Sequence, residues 1–254
     1  MGDLQAAMRR IKVYNMIFMN ASYSFSFLRM YYEHVVALFN QSYNRAQEIR
    51  ARMKAEYESK GREYDNQTMK EFQKVFDEVY PGYFHNSFLV TACSLFEHEV
   101  KRVWGFIEEE HHVLVTWDDI KGSVPVRMQQ LLNLAGVPLK DDPPRIELPS
   151  PDFKPVEVYD RNRIVVSTLW EDLKYCYRLR NCIVHNNGLV HKARGSESIT
   201  KYANEKGVLV EKEGQWELML NESFNVAVCY TMGTFFDKLM RLTIVPHCPK
   251  NLTR

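Results

Sequence analysis

The sequence predicts an all-α fold with one small β-hairpin, on three observations. Apolar residues recur at alternating steps of three and four along most of the 254 residues, the period of a single helix face. Those stripes stop at glycine, at Asn-Gly or at proline, as helices do. Only between residues 207 and 220 do two short alternating runs flank a turn signal.

At 45% hydrophobic, 26% charged and 13% aromatic, the chain can fill one substantial core or two small ones and is too apolar for disorder. Its formal net charge of +1 excludes a globally basic coat for nucleic acid, although a local basic patch fits a balanced total. Residues 1–15 mix Asp3, Gln5, Arg9, Arg10 and Lys12 among the apolar ones, so no signal peptide is expected. No run of about 18 apolar residues occurs, so no membrane span is expected either. The five cysteines, Cys93, Cys176, Cys182, Cys229 and Cys248, form no C-x-x-C pair. They read as reduced, mostly buried thiols of a cytoplasmic protein.

Taken in order, Leu4, Ala7, Met8 and Ile11 predict a short amphipathic helix. A long one follows through Phe25, Leu28, Tyr32, Val35, Phe39, Ala46, Ile49 and Met53, closed by Gly61. A helix from about Thr68 carries Met69, Phe72, Phe76 and Val79, with Glu71 as a capping partner, and is stopped by Pro81-Gly82. The next runs from about Asn86 to Glu110 with Phe88, Ala92, Phe96, Val103 and Ile107 inward and Glu97, Glu99 and Lys101 mostly outward. Residues 111–122 read as a loop, and Met128, Leu131, Leu132 and Ala135 as a short helix ended by Gly136. Six prolines between 138 and 155 predict an extended connector. A helix from about Val158 to Asn186 stops at Asn187-Gly188. VLVE and QWELML, around Lys212-Glu213-Gly214, form the hairpin. Asn221 caps a last helix with Phe224, Val228, Thr231, Phe235, Leu239 and Leu242 on one face. The domain reading is a helical extension over 1–82, a helical domain over 83–245 that includes the connector 138–155 and the hairpin 207–220, and a tail over 246–254.

The chemistry concentrates in Arg178–Gly188, RLRNCIVHNNG, where a helix with buried-type filling also carries two arginines, an asparagine and a histidine. At about 100° per residue, Arg178, Asn181 and His185 share a side and Arg180 points obliquely from it. His185 sits in the last turn, where unpaired carbonyls favour its protonated form. An arginine, an amide and a titratable imidazole suit RNA cleavage by attack of the 2′-hydroxyl on the adjacent phosphorus. The protein then supplies proton transfer, worth roughly 10²–10⁴-fold, and charge stabilisation by a guanidinium that matches phosphate oxygens. The plain alternative is a helix end where basic residues offset the dipole.

The segment Arg180-Asn181-Cys182-Ile183-Val184-His185 resembles the R-x(4–6)-H signature of the HEPN superfamily. An earlier helix of the type SFLVTACSLFEHEVKRVW and a last helix ending in FFDKL agree with the pattern, over roughly Tyr83 to Thr243. The resemblance implies an antiparallel HEPN-like helical bundle, a homodimer through the motif helix, and metal-independent endoribonuclease activity in toxin–antitoxin systems or antiviral defence. It implies RNA as substrate, an antitoxin or other regulatory protein as a further partner, and neither metal nor cofactor. Arg180 and His185 would be catalytic, with Asn181 beside them. Arg178 also satisfies the spacing, but the R-N pairing favours Arg180.

Around this site Arg178, Lys192 and Arg194 are candidate phosphate contacts and Tyr177 a candidate base-stacking residue, with core packing (for Tyr177) and a solvated loop (for the basic residues) as the alternatives. Glu108-Glu109-Glu110-His111-His112 lacks metal-ligand spacing and reads as a solvated helix end. Asp118-Asp119 read as loop or cap residues, His34 as a partly buried histidine, and His98 as a surface one. The remaining tyrosines and phenylalanines at helical spacing read as core. The rival function is a non-catalytic helical module that binds a nucleotide or partner protein.

Overall fold

Helix α1 runs unbroken from Gly2 to Ser59 in the computed structural model, which describes residues 2–61, 70, 73–137 and 169–244. The short first helix of the sequence reading is thus the start of one rod, roughly 87 Å long at about 1.5 Å per residue. Its inward face carries Phe18, Ala21, Phe25, Tyr32 and Val36, all buried. These residues share a single core with buried residues of the other helices, so the stretch from Phe18 to Val36 is a core helix. Past Val36 the stripe grows more open: Phe39 is partly buried, and Ile49 and Met53, predicted to continue it, are 49% and 45% exposed.

A single π turn, Val75–Val79, leads into α2, Tyr80–His111. Pro81-Gly82 therefore does not stop a helix. A proline inside a regular helix lacks a donor and strikes the preceding turn. Here the π turn, closed by the Tyr80 N–H on the Val75 carbonyl, shifts the bonding register just ahead of Pro81, and the helix continues. Phe76 in that turn packs against Phe39 and Tyr43 of α1.

Beyond a left-handed His112 cap, a 3₁₀ turn at Trp117–Asp119 is held by a capping box in which Asp119 accepts from the Thr116 N–H and hydroxyl. Those bonds hold the Asp119 carboxyl below its usual range. α3, Val124–Leu134, ends before Gly136. Then come α4, Leu169–Asn186, and α5, Ser196–Glu205. Strands β1, Leu209–Lys212, and β2, Gln215–Leu218, pair antiparallel with Lys212 opposite Gln215. The two turn residues, Glu213 and Gly214, both have positive φ (52° and 75°), the type I′ geometry that matches strand twist and favours glycine at its second position. α6, Glu222–Ile244, closes the chain, its N-terminus capped by the Asn221 side chain accepting from the Phe224 N–H at 2.9 Å. The fold is all-α with one small hairpin. The capping group at Thr68–Glu71, Phe72, the connector 138–155, the helix start at 158–168, Cys248 and the tail lie outside the described residues.

α1 and α6 pack antiparallel, with Phe25 on Phe236, Arg29 over Tyr230 and Tyr32 beside Asn225. Phe96 of α2 is the hub where these helices meet α4, touching Phe25, Phe235, Phe236 and Tyr177 at ring-centroid distances of 5.2–6.4 Å. Within α2, Phe88, Ala92, Phe96, Val103 and Ile107 face inward as the period requires. Glu99, expected outside, is buried. Its carboxylate accepts from the Ser24 hydroxyl at 3.1 Å and lies 2.6 Å from Arg102.

A second polar group sits where α1, α2 and α6 converge. Asn225, fully buried, donates to the Tyr32 hydroxyl oxygen at 3.1 Å and to the His85 carbonyl at 3.0 Å. The Tyr32 oxygen lies 2.6 Å from His85 Nδ1. Burial favours the neutral ring, and a Tyr32 proton directed at Nδ1 leaves the ring proton on Nε2. Burial lowers the His85 pKa in keeping with this, and raises that of Tyr32. His34 is exposed instead, whereas His85 is partly buried.

Candidate functional site

α4 carries the site because its two faces differ. Trp170, Leu173, Cys176, Tyr177, Leu179 and Cys182 are buried against the core, while Asn181, Val184 and His185 are exposed and Arg180 is half-buried. Glu171 and Asp172 in the first turn set charges of the favourable sign at the N-terminal end of the helix dipole, and His185 stands in the last turn. The stop is built from Asn187 and Gly188, both left-handed at φ 52° and 81°. The Gly188 N–H returns to the Cys182 carbonyl at 3.1 Å. The Gly188 carbonyl accepts from the Leu218 N–H at 2.9 Å, and Leu189 bridges to Glu217. Strand β2 thereby braces the helix end that holds His185.

The two arginines part company. Arg178 lies with its guanidinium 4.9 Å from the Tyr175 ring centroid and donates to the Ser198 hydroxyl of α5 at 3.3 Å. Tyr175 in turn stacks on Tyr202 at 4.2 Å, and Tyr202 donates to Asp172 at 2.9 Å. Backbone phase puts Arg178 on the His185 side, but helical side chains lean toward the N-terminus, and this one leans onto α5. Arg180 stays near the motif and donates to the Asn181 side-chain oxygen at 2.9 Å. Its charge also reaches the α2 side, where it partly offsets the burial that raises the Tyr177 hydroxyl and pushes the Cys93 thiol up to about 12.

That Arg180–Asn181 bond fixes what the pair can offer. With the oxygen of the exposed Asn181 accepting from Arg180, what the pair has left to offer is donors, the Asn181 amide N–H groups and the other guanidinium N–H groups of Arg180. Two donor groups of this kind, one of them cationic, receive an anion such as a phosphate. His185, one turn beyond Asn181, supplies the group that can move a proton. The arrangement sets anion binding and proton transfer side by side on an exposed helix end.

Lys192 and Arg194 are exposed in the connection from α4 to α5. Tyr177 is not available to a base. It is 7% exposed, donates its hydroxyl to the Cys93 carbonyl at 2.9 Å and packs on Phe96. Its place one turn ahead of Asn181 on the inward face makes it a tie between α4 and α2. Cys93, Cys176, Cys182 and Cys229 are buried and not in disulfides. Burial pushes the Cys182 thiol up to about 11 and Cys229 to about 12. Among the described residues no three His, Cys, Asp or Glu side chains converge as ligands for a metal ion, and no helix is long and apolar enough to cross a membrane.

Sequence reasoning missed three features here. Val184, counted as filling, is 44% exposed between Arg180 and His185. Ser198 and Tyr175 hold Arg178, a contact whose only sequence signal is the three-residue spacing of Tyr175 and Arg178. The bracing of Gly188 by β2 has none. Comparison of the chain with protein-family models, curated proteins and solved structures gives no match.

Proposed function

We propose that this chain is a cytoplasmic, metal-independent endoribonuclease of the HEPN type, working as a homodimer through α4 in a toxin–antitoxin or antiviral defence setting under an antitoxin or other regulatory protein. The observation that carries the reading is the exposed end of α4, where Arg180 and Asn181, hydrogen-bonded at 2.9 Å, precede His185 by about one turn. In the reaction, the RNA 2′-oxygen bonds to the adjacent phosphorus and the bond to the 5′-oxygen breaks. Arg180 and the Asn181 N–H groups hold the phosphate oxygens as charge grows on them. His185 carries the proton that leaves the 2′-hydroxyl or the one that reaches the departing 5′-oxygen.

A dimer through α4 suits this chemistry. Arg180 and His185 lie about 140° apart on one helix, which strains their meeting on one phosphate. A two-fold axis beside the exposed Val184 sets Arg180 of one copy near His185 of the other. Arg178, Lys192 and Arg194 then extend the basic surface along the RNA.

The test is cleavage of RNA by purified protein in EDTA. The expected product ends are 2′,3′-cyclic phosphates and 5′-hydroxyls. Cleavage that stops with chelator and returns with Mg²⁺ overturns the mechanism. Intact RNA under every condition, with a nucleotide or protein bound instead, favours the rival non-catalytic module.

A further inference from the structure

Helix α1 is apolar on two faces, and among the described residues only one is buried in the core. Against the buried line of Phe18, Phe25, Tyr32 and Val36 runs a second line of Met16, Met19, Tyr23, Phe27, Met30 and Tyr31, at 50%, 40%, 51%, 67%, 57% and 66% exposure. At about 100° per residue these six fall in a band about 120° wide, nearly opposite the buried line. Val13 and Leu38 extend the band at 40% and 48% exposure.

Charge is missing from this face. From Val13 to Leu38 the residues with formal charge are Arg29 and Glu33, and neither falls in the band. Arg29 is turned to Tyr230 of α6 and toward Glu33 at 3.9 Å. Isolated exposed apolar residues need no explanation, but a stripe of eight, broken at the same phase only by Asn20 and His34, does. The eight side chains expose about as much surface as four full ones, on the order of 800 Å² at about 200 Å² each. That equals what one partner contributes to a stable protein–protein interface, about 800 Å².

We infer that this face is a self-association surface, on which α1 of a second copy packs antiparallel about a two-fold axis near Phe27. An isologous contact needs one patch that complements itself. A helix face free of Lys, Arg, Asp and Glu between Val13 and Leu38, having Phe27 near its middle and methionines on either side, meets that need. A membrane surface is the poorer occupant. Helices that lie on membranes flank their apolar face with lysine and arginine, whereas here Arg29 is spent on Tyr230 and the opposite face is locked into the core. The surface is independent of the proposed ribonuclease site and of the α4 contact. If both contacts form, the assembly is larger than a dimer.

The experiment is sedimentation velocity of the full chain at micromolar concentrations, comparing wild type with the double variant Phe27→Glu/Met30→Glu and with Val184→Glu. Circular dichroism checks that each is folded. The expected result is that the α1 variant drops the assembly state by half, with association weakened by roughly 100-fold or more. Phe27→Cys, which leaves the stripe apolar, is expected to form an intermolecular disulfide under mild oxidation, and it decides the matter should the double variant misfold. A monomeric wild type overturns the inference, whether or not it sediments with phosphatidylcholine vesicles. So does an assembly that Val184→Glu dissolves and Phe27→Glu/Met30→Glu leaves intact.

Discussion

Two clusters in this molecule use the same pair of residue types, a histidine and an asparagine, in opposite ways. At the end of α4, Asn181 and His185 are exposed on one helix, with Arg180 beside them. Where α1, α2 and α6 meet, Asn225 is fully buried and ties Tyr32 and His85 from three separate helices. In the buried cluster both Asn225 amide donors are spent within the protein, on the Tyr32 oxygen and the His85 carbonyl, so the polar groups specify how the helices dock. At the exposed end donors are left over, with only one bond between them. Residue type does not distinguish a site from a strut; the destination of the hydrogen bonds does.

The sharpest way to break the comparison is to remove the exposed groups. Arg180→Ala and His185→Ala are each expected to lower RNA cleavage by at least 10²-fold, with melting temperatures nearly unchanged because neither side chain fills core. Kinetics and thermal melts on the same preparations provide the check. If both variants unfold, the exposed end is structural as well and the contrast collapses.

The converse change is Asn225→Ala. It removes two buried hydrogen bonds, to the Tyr32 oxygen and to the His85 carbonyl, a loss of about 2–3 kcal/mol, or roughly 5–10 °C in Tm for a chain of this size. Specific activity per folded molecule is expected to hold. A melting curve that does not move shows that the buried cluster holds nothing together.

How much of this was legible in the sequence follows from the range over which each feature is decided. The Asn221 cap, the Asn187-Gly188 stop and the Glu213-Gly214 turn are settled by chemistry within a few residues, and the sequence reading placed all three. Pro81 misled because its tolerance depends on a π turn fitted to α1 through Phe76. Glu99 was misplaced because the Ser24 hydroxyl that it accepts from lies 75 residues away, and Tyr177 takes its core-packing reading rather than base stacking through the Cys93 carbonyl, 84 residues away. The second stripe of α1 was visible as spacing, but spacing does not tell which of two apolar faces finds a partner inside the chain. At the candidate site the helix and its stop were legible, whereas the divergence of Arg178 from Arg180 depends on α5.

A gentler perturbation uses pH. His85 has its pKa lowered from the ordinary 6.5 by burial, so the unfolded chain takes up a proton that the folded chain refuses. Stability from this group is therefore complete above about pH 6.5, declines as pH falls below it, and levels once the lowered folded value is passed. His85→Gln keeps an acceptor for Tyr32 without the titration. Urea unfolding at pH 7.5 and 5.5 is expected to show wild type losing more stability than the variant over that interval. Parallel losses show that His85 is not the neutral acceptor drawn here.

The smallest effect is expected at Arg178, which stands between the two clusters in character. It is exposed, yet its guanidinium is already engaged by Tyr175 and Ser198, so it is partly a strut between α4 and α5. It keeps donors that a phosphate can reach, but its lean away from Asn181 removes it from the reacting centre. Arg178→Ala is accordingly expected to weaken RNA binding less than 10-fold, and to leave the single-turnover cleavage rate at saturation close to wild type. Losing one phosphate contact on a single strand also flattens the dependence of log affinity on log salt by about 0.7. Binding titrations at three salt concentrations and a single-turnover assay separate these quantities. If Arg178→Ala abolishes cleavage while Arg180→Ala only weakens binding, the arginines exchange roles. The bond from Arg180 to Asn181 is then a resting contact, and the guanidinium that meets the phosphate is the one that α5 holds.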